Sequence, residues 1–309
     1  RADVAHIGHA ELLSPDLEAS LRFLTGVLGM SEVAREGDCV HLRGYGDYQR
    51  CTLKLSAAEQ AGIGHLGLRA RSPQALERLV AGAERRGCGE GWVEGDVGHG
   101  PAYRARTPGG HLLELYYETE RYDGGPGERS PARNQHGRRG GPGVGVKRLD
   151  HVNLLSPDVA ADRAFAESAL GYRTLDISLD PDGRESGAWT TASIAPLELV
   201  FVADRAGRSG RLHHLAFWVD TREEVLRAAD IFVDHGVRIE LAPARHTIGQ
   251  GFFLYAFEPG GNRIEVTTAV DFVYDPDPPV RVWTAEERAA GIGWGTPFPE
   301  SWRSYGTPA

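Results

Sequence analysis

The sequence predicts an α+β protein made of two similar modules, each a curled mixed sheet with helices on its outer face. Two observations lead to this prediction. The chain repeats three short motifs in the same order, and each half alternates short strand-like runs with amphipathic helical stretches. A length of 309 residues also suits about two domains.

The repeated motifs are long enough to identify a duplication. Each occurs once in either half: HAELLSPD at 9–16 and HVNLLSPD at 151–158, HLGL at 65–68 and HLAF at 214–217, PGGHLLE at 108–114 and PGGNRIE at 259–265. The offsets between the copies, 142, 149 and 151 residues, grow slowly, as small loop insertions would make them grow. We therefore interpret the chain as a tandem duplication.

Helix signals and composition divide the chain into four segments. An amphipathic helix is predicted at 72–86 and another at 221–235, with Gly87 and Gly236 as helix-stop residues. A stretch rich in Gly, Arg and Pro between the halves is typical of a flexible linker or an exposed loop. The expected segments are a first module at 1–120, a linker at 121–147, a second module at 148–270, and a tail at 271–309 that packs on its own module or on a neighbouring subunit.

Composition excludes several classes of function. The formal net charge of −9 argues against a protein that binds the phosphate backbone of a nucleic acid. No apolar run approaches the roughly 20 residues that a membrane-spanning helix needs. The three cysteines show no CxxC spacing, and the chain starts without a signal-peptide pattern. Both features predict a cytoplasmic protein with reduced thiols.

Three strands of the second half each carry one side chain that could bind a metal. Strand alternation places His151 and Asn153 on one face of the first strand, His214 on one face of the second and Glu265 on one face of the third. An isolated His in a strand is usually structural, but three such residues at repeat-equivalent positions favour a metal site. Two imidazoles and one carboxylate form the set that leaves open positions on a non-haem Fe(II).

Longer motifs in this half resemble a known family. LDHVNLLSPD, GRLHHLAFWVD, ARH with FFLYAFEPGGNRIEV, and WGTPFPESW resemble type I extradiol catechol dioxygenases of the vicinal-oxygen-chelate superfamily, especially homoprotocatechuate 2,3-dioxygenases. The match covers the second half and the tail, while the first half fits only in general pattern. The resemblance implies βαβββ modules whose curled mixed sheets surround a metal cavity. It also implies insertion of O2 into a catechol-type aromatic diol.

The resemblance assigns a role to individual residues. It implies Fe(II), or alternatively Mn(II), bound by His151, His214 and Glu265, with His246 and Tyr255 contacting the diol and Asn153 and Trp189 lining the pocket. The implied partners are an aromatic diol and O2, without nucleic acid or membrane. The implied assembly is a homo-oligomer, either a dimer or a tetramer.

The sequence departs from the family at two places near this pocket. The family has a second His beside the oxygen, in the strand before GRLHH, and here its position falls on Leu197 or Leu199. We therefore expect Leu197 to line the pocket, with His213, Glu198 or a water as the alternative source of protons.

The second departure concerns the substrate. The arginines that hold a substrate carboxylate in homoprotocatechuate enzymes are missing, because their positions fall near Leu241 and Gly291. This absence predicts a diol with a neutral or apolar substituent.

The sequence alone does not decide between this function and two others, and it contains one further candidate metal site. A superfamily isomerase or epimerase would use the metal as a Lewis acid, and a ligand-sequestering protein would need no triad. The first half keeps His9, His65 and Glu114 at the repeat-equivalent positions, but Arg104 stands where Tyr255 would be. We expect this first-half triad to be vestigial and the chain to hold one functional metal.

Overall fold

The computed structural model describes residues 2–125, 127–139, 141–290 and 292–309. Gly291, near which the family resemblance places a substrate-binding arginine, lies outside the described residues. The first module consists of β1 (Val4–Ser14), α1 (Leu17–Arg22) with a π-helical turn (Phe23–Val27), β2 (Ser31–Glu36), β3 (Cys39–Arg43), β4 (Leu53–Ala57), β5 (Gly62–Ala70), α2 (Pro73–Arg85), β6 (Gly89–Val93), β7 (Ala102–Arg106) and β8 (Leu112–Tyr116).

The second module repeats this order of elements, and the tail adds three more. The second module consists of β9 (Arg148–Ser156), α3 (Val159–Phe165) with a π-helical turn (Ala166–Leu170), β10 (Arg173–Leu179), β11 (Glu185–Thr191), β12 (Leu199–Ala203), β13 (Arg211–Trp218), α4 (Arg222–Asp234), β14 (Ile239–Arg245), β15 (Phe252–Phe257) and β16 (Arg263–Thr268). The tail contributes β17 (Arg281–Trp283), α5 (Ala285–Ala290) and α6 (Glu300–Ser304).

The two sheets have the same strand order. The first sheet runs β2-β3-β4-β1-β5-β8-β7-β6, and the second runs β10-β11-β12-β9-β13-β16-β15-β14, with β17 added beside β10. Each sheet mixes parallel and antiparallel pairs, such as β13 with β16 and β13 with β9. The prediction of an α+β fold made by tandem duplication is confirmed.

Helix ends follow the signals in the sequence. Asp16 and Asp158, from the two copies of the Ser-Pro-Asp motif, accept hydrogen bonds from backbone N–H groups in the first turns of α1 and α3. Thr221 and Glu224 form a capping box at the start of α4. Described helices include none that is long and apolar enough to cross a membrane.

The connector and the tail both pack on the modules. Val146 is fully buried, and the backbone N–H groups of Val144 and Val146 donate to the carbonyls of Val27 and Leu28 at 2.8 and 3.0 Å. The connector is therefore not an exposed loop at this end, in contrast to the expectation. Trp302 of the tail is buried against β15, so the tail packs back on the second module.

Two buried polar contacts join the modules, and the repeat relates them. Asp162 of α3 accepts a hydrogen bond from the backbone N–H of Gly109, in the first module, at 2.8 Å. At the equivalent contact, Ser20 of α1 donates to Glu258 of the second module at 2.5 Å. Glu258 also accepts from the N–H of Gly260 at 2.7 Å. Each contact therefore contains one carboxylate, on the helix side in one case and on the turn side in the other.

Candidate metal centre

One row of residues crosses four neighbouring strands of the second sheet at the same level. Ala216 of β13 is paired with His151 of β9 on one side and with Glu265 of β16 on the other. Glu265 is paired in turn with Tyr255 of β15. Paired residues on adjacent strands project from the same face, and the small methyl group of Ala216 leaves space between the two larger side chains. His214, two residues earlier on β13, projects from that face as well.

The structure brings the three predicted ligands together around one point. Nε2 of His151 lies 3.2 Å from Nε2 of His214, and both lie close to Oε2 of Glu265, at 3.2 and 3.0 Å. Donor atoms about 2.1 Å from an octahedral ion, at right angles to one another, lie about 3.0 Å apart. The observed distances therefore fit one face of an octahedron.

Neighbouring groups turn the ring nitrogens of both histidines toward that point. Nδ1 of His151 lies 3.0 Å from Asp150, a carboxylate that can only accept, so Nδ1 carries the proton. Nε2 of His213 lies 2.8 Å from the carbonyl of Trp302 and must donate to it. Nδ1 of His213 is then left to accept from Nδ1 of His214, 2.6 Å away. When both rings are neutral, both Nε2 atoms present lone pairs to the centre, as metal-ligating histidines do. Burial opposes protonation of His151, but Glu265 and Asp150 raise its pKa to about 9, so this ring also holds a proton on Nε2 near pH 7 unless a metal ion displaces it.

Glu265 completes a donor set that suits a divalent cation. The side chain is fully buried, yet neither carboxylate oxygen accepts a hydrogen bond of acceptable geometry. Burial opposes its ionisation, but the imidazoles around it, His151 first, hold the pKa of Glu265 well below its usual range. Burial also lowers the pKa of His214 to about 4, so this ring is neutral near pH 7. A buried charge without donors is costly unless a cation offsets it, and a metal ion fits here.

His246 and Tyr255 stand beside the triad. Nε2 of His246 lies 3.2 Å from the Tyr255 hydroxyl and 3.4 Å from Oε1 of Glu265. The His246 ring stacks on Phe253 with a centroid distance of 3.7 Å, which fixes its orientation. Burial raises the pKa of Tyr255 well above its ordinary value and lowers that of His246. The phenol is therefore protonated and the imidazole neutral near pH 7.

A small cavity of about 30 Å³ opens at the triad. Asn153, Trp189 and Leu197 line it together with His246 and Tyr255. The side-chain oxygen of Asn153 is buried there without a hydrogen-bond partner. Trp189 also lines a larger neighbouring cavity of about 1010 Å³. The structure thus gathers eight of the nine residues named from the sequence at one cavity.

Comparison with known proteins identifies the family. The model of the Glyoxalase/Bleomycin resistance protein/Dioxygenase superfamily matches residues 6–115 and 148–266. A metapyrocatechase of Geobacillus stearothermophilus is 41% identical over 309 residues, which cover 99% of this chain and 94% of that protein. The chain belongs to the extradiol dioxygenases of this superfamily. A manganese-dependent 2,3-dihydroxybiphenyl 1,2-dioxygenase of Geobacillus genomosp. 3 is 32% identical, covering 96% of this chain and 95% of that protein.

Solved structures agree with this assignment. The 2,3-dioxygenase LapB from Pseudomonas sp. KL28 superposes with a TM-score of 0.83 at 29% identity, covering 92% of this chain and 98% of that one. A variant of homoprotocatechuate 2,3-dioxygenase from B. fuscum superposes with a TM-score of 0.86 at 28% identity, covering 97% of this chain and 81% of that one. These likenesses favour an extradiol dioxygenase over the isomerase, epimerase and binding-protein alternatives.

The ninth residue named from the sequence, His213, lies elsewhere in this dioxygenase. Its ring lines the larger cavity and is tied to Trp302 and His214. Glu198, the other alternative to the missing histidine, accepts from the Thr191 hydroxyl and the backbone N–H of Ala192, and it does not line the small cavity. Leu199 is fully buried in the main core. Leu197 is therefore the position that faces the dioxygenase cavity.

Sequence reasoning missed one charged residue of the extradiol dioxygenase pocket. Arg288 of α5 lines both cavities, with its guanidinium carbon 5.1 Å from the ring centroid of Trp189. Burial lowers the pKa of Arg288 to about 10, so it is still charged near pH 7. Within the described ranges, no carboxylate lies within ion-pair distance of it. The repeat gave no signal for Arg288, because it lies in the tail, and the family resemblance placed the expected tail arginine three residues later, near Gly291.

The first module of the dioxygenase contains a matching row. Gly67 of β5 is paired with His9 on one side and Glu114 on the other, and Glu114 is paired with Arg104. A Cβ atom at Gly67 would lie 2.1 Å from Cε1 of His9, so glycine is required where the second module has alanine. Nε2 of His65 lies 2.9 Å from Nε2 of His9. The three repeat-equivalent residues predicted from the sequence therefore meet in space.

Proposed function

We propose that this extradiol dioxygenase cleaves catechol-type diols at a site where His151, His214 and Glu265 hold one Fe(II). The observation that supports the proposal is the set of donor-atom separations of 3.0–3.2 Å, with both Nε2 atoms turned inward. When bound, the ion would supply open coordination positions and a positive charge that favours the deprotonated form of a diol oxygen.

His246 would accept a proton from the diol, and Tyr255 would orient the diol by a hydrogen bond. The imidazole has an Nε2 atom at the edge of the triad, where it can accept a proton from a diol hydroxyl. The Tyr255 hydroxyl donates a hydrogen bond to the deprotonated oxygen and so favours one orientation of the ring. Because His246 stacks on Phe253, the imidazole is already fixed in orientation before the diol binds.

The walls of the cavity suit a flat aromatic ring. Trp189, Ile248, Leu197 and Phe298 provide apolar surface around the polar centre. The presence of Arg288 changes the expectation about the ring substituent. The sequence predicted a neutral or apolar substituent because it showed no arginine near the pocket, but Arg288 lines the cavity. We propose that catechol itself and small neutral catechols are substrates, and that Arg288 allows a carboxylate-bearing substituent as well.

The choice of metal follows from the same donors and is open to a direct test. His and carboxylate ligands bind both Fe(II) and Mn(II), and one relative is named as manganese-dependent. Metal-free enzyme would be reconstituted without air with either ion and then given oxygenated buffer and catechol. We expect O2 uptake and a ring-opened product with Fe(II), and less of both with Mn(II). Full activity with Mn(II) alone would reverse the metal assignment, and no O2 uptake with either ion would refute the site.

The assembly is also proposed to be a homo-oligomer, either a dimer or a tetramer. Trp92, Tyr274 and Trp294 are 57%, 80% and 63% exposed, and aromatic side chains are enriched in subunit interfaces. Sedimentation velocity of the full chain at micromolar concentration tests this. A single monomeric species would contradict it.

A further inference from the structure

The first-module cluster contains a fourth donor that the repeat did not predict. His99, in the turn before β7, places Nε2 3.9 Å from Oε2 of Glu114. His65 and His9 place their Nε2 atoms 3.4 and 3.8 Å from the same oxygen. The four side chains are only 4–5% exposed. Donors of a tetrahedral ion with bonds of about 2.0 Å lie about 3.3 Å apart, and the three distances to Oε2 of Glu114 and the His9–His65 distance, 2.9–3.9 Å, lie around that value. His9, His99 and Glu114 have donor atoms within 4.8 Å of one another, and His65 adjoins this group through His9.

Hydrogen bonds fix the tautomers of two of these histidines. Nδ1 of His65 lies 2.9 Å from a carboxylate oxygen of Glu11, and Nδ1 of His99 lies 2.8 Å from the carbonyl oxygen of Gly100. Both partners can only accept, so both Nδ1 atoms carry protons and both Nε2 atoms of the neutral rings carry lone pairs. These lone pairs face Oε2 of Glu114, a third acceptor. Either a cation among the three atoms or a proton on Nε2 of His9, which lies 2.9 Å from Nε2 of His65, is needed to offset their repulsion.

Arg104 makes this site different from the one in the second module. Its Nε and Nη2 atoms both donate to Oε1 of Glu114, at 3.0 and 2.8 Å, which leaves Oε2 directed at the histidines. Arg104 also takes the place in the row where Tyr255 meets the substrate cavity. With four protein donors and a guanidinium in that place, the cluster has the composition of a closed structural site. The carboxylate of Glu11 behind His65 adds the usual support for a ligating imidazole.

We propose that His9, His65, His99 and Glu114 bind a second divalent transition-metal ion, with Zn²⁺ as the best match, and that this ion stabilises the first module. Three imidazoles and one carboxylate are donors that Zn²⁺ accepts in a four-coordinate site. The proposal departs from the expectation of a vestigial, metal-free triad. The additional histidine and the fixed tautomers are the reasons for the change.

Metal titration of the intact chain separates the two sites. Metal-free wild type titrated with Co²⁺ should bind two ions per chain. The Glu265→Gln/His214→Ala variant, which lacks the catalytic triad, should still bind one tightly, with the intense visible absorption of four-coordinate Co²⁺. One ion per wild-type chain and none in the double variant would overturn the proposal, because protons on the imidazoles would then replace the metal.

Variants of the first module provide the second test. His99→Ala should lower metal content from two ions to one per chain and lower the melting temperature, while ring cleavage with the remaining metal is kept. His235→Ala, which removes an exposed histidine on the second module, is the matched control and should keep both ions. Should His99→Ala fail to fold, elemental analysis of purified wild type decides: zinc near one per chain supports the proposal, and only catalytic metal refutes it.

Discussion

The two modules place nearly the same row of residues across their sheets and use it differently. The row reads His9, Gly67, Glu114, Arg104 in the first module, and its fourth residue takes one oxygen of the glutamate. In the second module the fourth residue is Tyr255, and neither oxygen of Glu265 accepts a well-formed hydrogen bond. The residue beside the carboxylate therefore separates a glutamate that is paired with a guanidinium from one that has no well-formed hydrogen bond.

Removing the carboxylate should abolish catalysis in the second-module row and leave it unchanged in the first-module row. This is the largest expected effect. Glu265→Gln should abolish ring cleavage and strongly weaken binding of the catalytic metal, because an amide cannot offset the charge of the ion. His214→Ala should do the same. Glu114→Gln is the matched control and should keep ring cleavage. Metal analysis and O2 uptake of the three variants test the comparison, and a fully active His214→Ala enzyme would invalidate the assignment.

The fourth residue of the row gives the next largest effect. Tyr255→Phe should lower kcat/KM for catechol about 10²-fold, since removing one positioned hydrogen-bond donor to an oxyanion typically costs about 10²–10³-fold. Tyr172→Phe is a suitable control, because it removes a buried hydroxyl that has no hydrogen-bond partner. Steady-state kinetics of both variants provide the measurement. Equal activities would mean that Tyr255 is only a packing residue.

The third prediction concerns Leu197, which occupies the position where the family has a histidine beside the bound O2. A leucine cannot exchange a proton, and neither His213 nor Glu198 lines the small cavity. Leu197→His should therefore speed an oxygen-dependent step, by about 10-fold or more, while the affinity for the diol barely changes. Leu197→Met controls for the change of shape. Rapid mixing of the anaerobic enzyme–diol complex with oxygenated buffer measures this step, and an unchanged rate in Leu197→His would point to water as the proton source.

The smallest expected effect concerns Arg288 and the ring substituent. An ion pair at a partly exposed site contributes about 1 kcal/mol, so Arg288→Gln should lower kcat/KM for dihydroxyphenylacetate about 5-fold. Catechol should be nearly unaffected. The ratio of the two specificity constants is the measurement. A preference for neutral catechols that is the same in wild type and Arg288→Gln would restore the expectation derived from the sequence.

The second-module site could be predicted because its ligands follow regular rules. His151, His214 and Glu265 lie on strands whose alternation and repetition are visible in the sequence, so periodicity predicted the face of each strand that carries a ligand. That the three residues form one ligand set was implied by the family resemblance. His246 and Tyr255 required the family resemblance. The fold was predictable for the same reason, since the repeated motifs mark equivalent strands and turns.

Residues outside the repeat could not be placed in this way. Arg288 comes from a short tail helix whose position depends on how the tail packs against β15. His99 comes from the connection between β6 and β7, and it aligns with Gln250 rather than with His246 of the equivalent β14–β15 connection, so the repeat did not mark it. The buried end of the connector, at Val144 and Val146, was missed because its glycine-rich composition masks two apolar residues that reach the core.

The two carboxylates at the module contacts bear on how such a chain could arise. A symmetric dimer of identical modules would have the same residues at both contacts. Two copies of the second module would place Asp162 against Glu258, burying two negative charges together, and two copies of the first would offer Ser20 and no carboxylate. Neither half can therefore form today's interface with itself. Because the carboxylate lies on the helix side in one contact and on the turn side in the other, the two contacts together require two unlike halves.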